Sequence, residues 1–154
     1  MALDRLARRM LTELRRDSRL SVQDPANRVG RSSTPCWRRL EEIEKNDLIR
    51  RYTVLLDREA LGLKECLLAH VTLQRHAGQT AEEFERAVLA QPEVIECYST
   101  TTGDADYILK VVGPDMKAYD GFLQKRIFAF PGDASVRTAV VLREVKYDTL
   151  PPLD

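Results

Sequence analysis

Cysteines, long apolar runs and a leader segment are scarce or missing in this sequence of 154 residues. The three cysteines lie at least 30 residues apart, which excludes a dense disulfide framework and offers no metal-ligand spacing. No apolar run approaches the roughly 18 residues that a membrane span needs. The first residues are charged and lack the apolar stretch of a signal peptide. We therefore expect a cytoplasmic protein with reduced thiols, no membrane contact and no bound metal.

Motifs that carry catalysis are also missing. No Gly-rich phosphate-binding fingerprint occurs, and the spacing of His70 and His76 is typical of neither a metal cluster nor a triad. Asp104 and Asp106 form a pair of carboxylates that suits acid–base chemistry, but no nearby histidine, cysteine nucleophile or phosphate loop accompanies them. We expect neither enzyme activity nor a cofactor, and a small enzyme using these carboxylates is the competing class.

Charge is divided along the chain although the total is zero. Residues 1–51 carry 13 Lys/Arg and 8 Asp/Glu, a net charge of +5, whereas residues 52–154 carry 11 and 16, a net charge of −5. Twelve of the 13 N-terminal cations are arginine, whose planar fork binds phosphates and guanine edges in bidentate fashion. This division predicts a nucleic-acid-binding module joined to a second module, although arginine-rich helices are also common as solvated faces.

The N-terminal third has the pattern of a helix-turn-helix. Apolar residues recur at helical spacing over residues 3–16, a short segment runs from 21 to 29 before Gly30, and a longer helix follows to about 46–47. In this arrangement the last helix enters the major groove of double-stranded DNA. For Trp37, a position in the core of the domain is the alternative to DNA contact. The predicted base-facing residues are Ser33, Thr34, Trp37 and Arg38. Arg39 is predicted to lie against the DNA backbone, and Arg50 and Arg51 are further predicted DNA-binding residues.

The rest of the chain predicts an α+β fold with the order β-α-β-β-α-β, which is the ferredoxin-like arrangement. Apolar outward positions on the uncovered sheet face favour a dimer. We expect a DNA-binding domain at 1–47, a strand linker at 48–62 and a βαββαβ domain at 63–154. The predicted elements are a connecting strand at 48–56, strands at 66–73, 94–101, 106–112 and 135–145, a helix at 80–90 capped by Thr80, and a helix from its cap Asp115 to about Phe128.

Several short motifs, in this order, are similar to those of the Lrp/AsnC (leucine-responsive, feast/famine) family of bacterial and archaeal transcription regulators. The resemblance covers nearly the whole chain. The motifs are Val29-Gly30, Ser32-Ser33-Thr34-Pro35-Cys36-Trp37-Arg38-Arg39-Leu40, Leu48-Ile49-Arg50-Arg51-Tyr52-Thr53, Glu96-Cys97-Tyr98, Gly103-Asp104-Ala105-Asp106-Tyr107, Pro114-Asp115-Met116 and Arg137-Thr138-Ala139-Val140-Val141-Leu142.

The resemblance implies a strand-swapped homodimer, assembly of dimers into an octamer or a similar ring, and DNA binding tuned by a small effector, usually an amino acid. It places the effector beside the glycine-aspartate loop, where carboxylates suit an α-ammonium and loop N–H groups suit an α-carboxylate. The alternative for Gly103-Asp104 is a plain hairpin turn. The candidate effector residues are Tyr98, Thr102, Gly103, Asp104, Asp106 and Thr138.

The sequence departs from the family pattern at four places. Pro25 stands where the family has an aliphatic residue, and Arg31 replaces the usual turn leucine. The Thr100–Thr102 run is one residue longer than usual, which predicts a β-bulge, and Asp133 stands where an aliphatic residue is preferred. Pro25 and Arg31 keep open a second function, an effector-binding oligomer with weakened or lost DNA binding.

Overall fold

The computed structural model describes residues 4–16, 33–74, 78–101, 105–130 and 134–147. The chain divides into two compact units, one made of residues 1–55 and 146–154 and the other of residues 56–145. No helix among the described residues is long and apolar enough to span a membrane. The predicted short segment at 21–29 with Pro25 lies outside the described residues, as do Arg31, the Thr102–Asp104 segment and Asp133.

Two helices build the described part of the N-terminal unit. They are α1 (Arg5–Arg16) and α2 (Ser33–Lys45). Their apolar stripes pack together because residues three and four apart share one helix face. One cluster joins Met10 and Leu14 to Cys36 and Leu40. A second cluster joins Ala7 and Leu11 to Ile43. The predicted helical periodicity of both segments is confirmed.

Helix α2 ends close to the predicted position at 46–47, and a residue in the left-handed conformation terminates it. Asp47 has φ 53°, a conformation that Asp tolerates better than most side chains. The Asp47 N–H donates to the Glu44 carbonyl at 3.0 Å, and the Leu48 N–H donates to the Ile43 carbonyl at 3.2 Å. This pair of bonds is a Schellman motif, which satisfies carbonyls that the end of the helix leaves without intrahelical donors.

One antiparallel sheet organises the C-terminal unit. Its strands are β1 (Glu65–Leu73), β2 (Val94–Ser99), β3 (Tyr107–Gly113) and β4 (Ala134–Val140), and they lie in the order β2-β3-β1-β4. Successive side chains alternate between its two faces, so β1 buries Leu67, Ala69, Val71 and Leu73 beneath the helices. We call the face of the sheet that the helices cover the helix face, and the opposite face the open face. The predicted ferredoxin-like fold is confirmed. The helices of this unit are α3 (Gly78–Leu89) and α4 (Met116–Phe122), and α4 continues in a π-helical extension, Leu123–Ile127.

The connecting strand predicted at 48–56 is wrong for the single chain. Residues 50–57 have no strand pairing, and Tyr52, Val54, Leu55 and Leu56 are exposed. A strand is defined by hydrogen bonds to a neighbour, and the described residues of this chain offer that segment none. The same reason shortens the last strand, since β4 ends at Val140 instead of at the predicted 145.

One further local prediction is corrected. Helix α3 begins at Gly78, so Thr80 lies in its first turn and not at its N-cap. The register of the β2–β3 pair shifts between Val94 and Glu96, an irregularity that the sequence did not predict. The bulge predicted at Thr100–Thr102 extends into residues outside the described part of the chain and stays a prediction. Thr100 itself closes the end of the strand, because its N–H donates to the Asp106 carbonyl at 2.9 Å.

Asp115 caps α4, as predicted, and its removal is expected to destabilise the fold. Its carboxylate accepts the Ala118 N–H at 2.7 Å, which satisfies one of the free donors of the first turn. We expect Asp115→Ala to lower the free energy of unfolding by about 0.5–2 kcal/mol in urea denaturation. Asp120→Ala, an exposed aspartate of the same helix, is the control. Equal effects of the two changes would contradict the capping role.

Candidate DNA-binding and effector sites

Helix α2 presents Arg38 to solvent. Cys36, Leu40 and Ile43 face α1, and Arg38 lies on the opposite side of the helix, where its side chain is exposed. Ser33, Thr34 and Trp37 belong to the first turns of the same helix, and their side chains lie outside the described part of the structure. Of the predicted base-facing residues, Arg38 therefore has a described position that suits DNA contact.

Arg50 and Arg51 follow α2 in an extended segment and are exposed. The next residue, Tyr52, is bonded to α2, because its hydroxyl donates to the Glu44 carboxylate at 2.6 Å. Burial, followed by this hydrogen bond, raises the pKa of Tyr52 to about 12. This hydrogen bond keeps Arg50 and Arg51 close to the C-terminal end of α2.

Arg39 differs from the other arginines of the predicted interface. Its guanidinium lies 2.8 Å from the Asp4 carboxylate and 2.5 Å from the Glu42 carboxylate. Its side chain is only 19% exposed. Two carboxylates thus already pair with the guanidinium that the sequence prediction placed against the DNA backbone.

The predicted effector residues occupy different parts of the sheet. Tyr98 lies on the open face of β2, where its hydroxyl donates to the Glu96 carboxylate at 2.8 Å, a bond that raises its pKa. Thr138 lies on the helix face of β4, and its hydroxyl is 2.6 Å from that of Tyr119. Strands β3 and β1 separate the two residues. One chain therefore does not bring Tyr98 and Thr138 into a common pocket.

Asp106 has a structural role that the sequence did not reveal. Its carboxylate accepts the Leu73 N–H at 2.7 Å, and its own N–H donates to the Val71 carbonyl at 2.8 Å. These bonds fasten the start of β3 to the end of β1. The remaining predicted effector residues, Thr102, Gly103 and Asp104, lie outside the described residues. A shallow cavity of about 220 Å³ lies at the β1–β4 pair and is lined by His70, Arg137, Thr138 and Ala139.

A group of ion pairs on the open face is absent from the sequence prediction. Lys110, in the middle of β3, lies 3.0 Å from Glu144 and 3.5 Å from Glu96. Burial acts to lower the pKa of Lys110, but the bond to Glu144 and the charge of Glu96 outweigh it and raise the pKa. Burial also raises the pKa of the nearby Cys66 thiol. The sequence signal for this group was a lysine between apolar residues of a strand. Its partners could not be identified from the sequence, because they are distant along the chain.

Comparisons with known proteins agree with this division of the molecule. A profile for winged helix-turn-helix DNA-binding segments matches residues 3–50, and one for the Lrp/AsnC ligand-binding domain matches residues 66–151. The chain is 37% identical to the Bkd operon transcriptional regulator of Pseudomonas aeruginosa, over 98% of both chains. It is 40% identical to the leucine-responsive regulatory protein of Escherichia coli, over 94% of this chain and 87% of that one.

Solved structures give the same result. A transcriptional regulator from Neisseria meningitidis, in complex with L-Met, superposes with a TM-score of 0.93 at 31% identity, covering 99% of this chain and 98% of that one. An AsnC-family regulator from Agrobacterium tumefaciens superposes with a TM-score of 0.91 at 38% identity, covering 98% and 97%.

The two units therefore define a transcriptional regulator with a DNA-binding module and a ligand-binding module. The chain belongs to the Lrp/AsnC family. The predicted family and function class are confirmed. The alternative of an oligomer without DNA binding is not favoured, because the DNA-binding match extends over residues 3–50.

Proposed function

We propose that this regulator binds double-stranded DNA through α2 and the arginines that follow it, and that a free amino acid changes this binding. Residues 1–47 form the DNA-binding domain, 48–62 the linker, and 63–154 the effector and assembly domain. The protein acts in the cytoplasm and without catalysis. The observation that carries the proposal is the exposed Arg38 on the side of α2 opposite the core, in a segment of net charge +5.

The DNA contacts divide into two kinds. Arg38, with Ser33, Thr34 and Trp37 from the start of α2, reads base edges in the major groove. Arg50 and Arg51 are exposed and follow the helix, so they suit the phosphate backbone, which fixes orientation without reading sequence. Both kinds depend on charge, so binding falls steeply as salt rises.

Replacing Arg38 by alanine is expected to weaken DNA binding and to relax its sequence preference. Loss of a bidentate guanine contact costs about 1–3 kcal/mol of discrimination. Gel-shift titrations with a duplex that the parent selects from a random pool, and with a scrambled duplex, measure both effects. Arg126→Ala removes one exposed cation from the C-terminal unit and is the matched control. A selected-to-scrambled affinity ratio unchanged by Arg38→Ala would refute base readout by this residue.

The proposed effector is an amino acid bound beside the 102–106 loop. The Neisseria relative, at 31% identity over nearly the whole chain, is described as a complex with L-Met, and the Escherichia coli relative is described as leucine-responsive. Tyr98 and Thr138 lie on opposite sheet faces, so they join Thr102, Gly103, Asp104 and Asp106 in one site only if different chains contribute them. The proposed assembly is accordingly a homodimer that builds an octamer or a similar ring.

Addition of the right amino acid is expected to raise the thermal stability of the protein. A ligand at 100 times its Kd stabilises a single site by about 2.7 kcal/mol. Thermal denaturation with L-Met, L-Leu and then the other amino acids measures this shift. Asp104→Ala is expected to abolish the shift while leaving DNA binding without effector intact, since its carboxylate is proposed to hold the ammonium group. An undiminished shift in that variant would exclude Asp104 from the site.

A further inference from the structure

One carboxylate serves both helices of the N-terminal unit. Asp4 precedes α1 and accepts the Ala7 N–H at 2.7 Å through Oδ1, which is the bond of an N-cap residue. Its other oxygen, Oδ2, lies 2.8 Å from Nη2 of Arg39 on α2. The cap of one helix is therefore joined directly to the side of the other.

The Arg39 guanidinium is committed to the protein. Nη1 donates to the Glu42 carboxylate one turn further along α2, while Nη2 pairs with Asp4. Nε is buried and has no hydrogen-bond partner among the described residues. A DNA phosphate would have to compete with two carboxylates that already form short charge-assisted bonds to this group. Arg38, the preceding residue, is exposed.

We propose that Arg39 is a positioning residue for DNA binding: the Asp4–Arg39–Glu42 bridge fixes α2 against α1, and Arg39 itself does not contact phosphate. The proposal rests on DNA binding by α2 and replaces the role that the sequence predicted for this residue. Apolar side chains hold α1 and α2 together with little directional preference. Charge-assisted hydrogen bonds are directional, so the bridge sets the rotation and register at which Arg38 meets the bases.

The Asp4→Asn variant tests the bridge, because the two possible roles of Arg39 predict opposite changes in DNA affinity. Asparagine caps a helix as well as aspartate does, so the change removes the charge and keeps the cap. If Asp4 merely competes with phosphate for Arg39, the variant binds DNA more tightly. If the bridge positions α2, the variant binds more weakly although it carries one negative charge fewer. Glu41→Gln removes the same charge from α2 outside the bridge and is the matched control.

Arg39→Ala gives a second, independent readout. A lost phosphate contact lowers the slope of log affinity against log salt by about 0.9. A lost positioning contact leaves that slope unchanged. It lowers affinity for the selected duplex by about 5- to 150-fold, the discrimination of one bidentate base contact. Binding to a scrambled duplex changes much less, because phosphate contacts tolerate small rotations of the helix.

The measurements use the full chain, one selected duplex, one scrambled duplex of the same composition and a series of salt concentrations. Thermal denaturation of each variant gives its folded fraction. This measurement is needed because partial unfolding lowers the affinity for both duplexes in the same proportion. Weaker and less selective binding by Asp4→Asn and Arg39→Ala, with an unchanged salt slope, is the expected result. Tighter binding by Asp4→Asn, a lower slope for Arg39→Ala, an equal loss on both duplexes, or parental behaviour of both variants overturns the proposal.

DNA binding by the parent protein distinguishes a failure of the proposed DNA contacts from a failure of the bridge alone. Failure of the parent to bind any duplex overturns the proposed DNA contacts and the bridge with them. A parent that binds, with variants that fail the test above, overturns the bridge alone.

Discussion

The Phe84→Ala variant is expected to unfold with a free energy about 3–5 kcal/mol below that of the parent, because it leaves a cavity in the centre of the larger core. Phe84 is 1% exposed and projects from α3 onto the sheet. Its ring centroid lies 4.8 Å from that of Tyr107 on β3 and 5.5 Å from that of Phe130. Alanine cannot reach either ring, and a close-packed interior collapses only partly around the missing side chain.

Urea denaturation at one protein concentration measures this loss. Leu89→Ala is the control, since Leu89 lies in the same helix but is 78% exposed and should change stability by less than about 0.5 kcal/mol. A loss for Phe84→Ala no larger than that of the control would mean that α3 does not pack on the sheet as described.

Features set by neighbouring residues were predictable from the sequence. The apolar spacing of α1, the end of α2 at Asp47 and the cap of α4 at Asp115 each depend on residues within about one or two helical turns. The order of strands and helices in the C-terminal unit follows from the same local periodicities. These signals sufficed for the fold class and for Arg38 as an exposed residue of α2.

Features that depend on distant partners were not predictable in the same way. Arg39 and Asp4 belong to different helices, and nothing in the sequence pattern indicates that they meet. Lys110 finds Glu144 beyond the end of β4, and Asp106 finds the backbone of Leu73. A residue pattern reports how a side chain is placed on its own element, but a hydrogen-bond partner is chosen by tertiary packing.

The failed strand predictions have another cause, which concerns association. Apolar, β-favouring residues at 52–56 and 141–145 have the composition of strands, yet neither segment forms a strand in the single chain, and most of their apolar side chains are exposed. Leu142 is 95% exposed and Val145 is 84% exposed, which is uncommon for neighbouring large apolar residues. Glu144 pairs with Lys110 on the open face, so this segment borders that face. Coverage by a second copy, as in the proposed dimer, would account for both the composition and the exposure.

The double variant Leu142→Asp, Val145→Asp is therefore expected to remain monomeric at micromolar concentration, with a mass near 17.6 kDa, while the parent has at least twice that mass. An unpaired carboxylate buried in an interface costs several kcal/mol, and a symmetric dimer would bury each of the two substitutions twice. The fold of the single chain is expected to persist, because both side chains are exposed and their replacement opens no cavity within the protomer.

Light scattering measures the mass, and circular dichroism establishes that the variant is folded. Leu89→Asp is the control: it makes the same type of substitution once, at a side chain of similar exposure, but on α3 in the helical layer. We expect it to keep at least the dimer mass. A parent of 17.6 kDa would exclude the proposed assembly outright. A folded double variant with the parental mass would place the interface elsewhere, because no dimer that covers the 142–145 segment tolerates four buried, unpaired carboxylates.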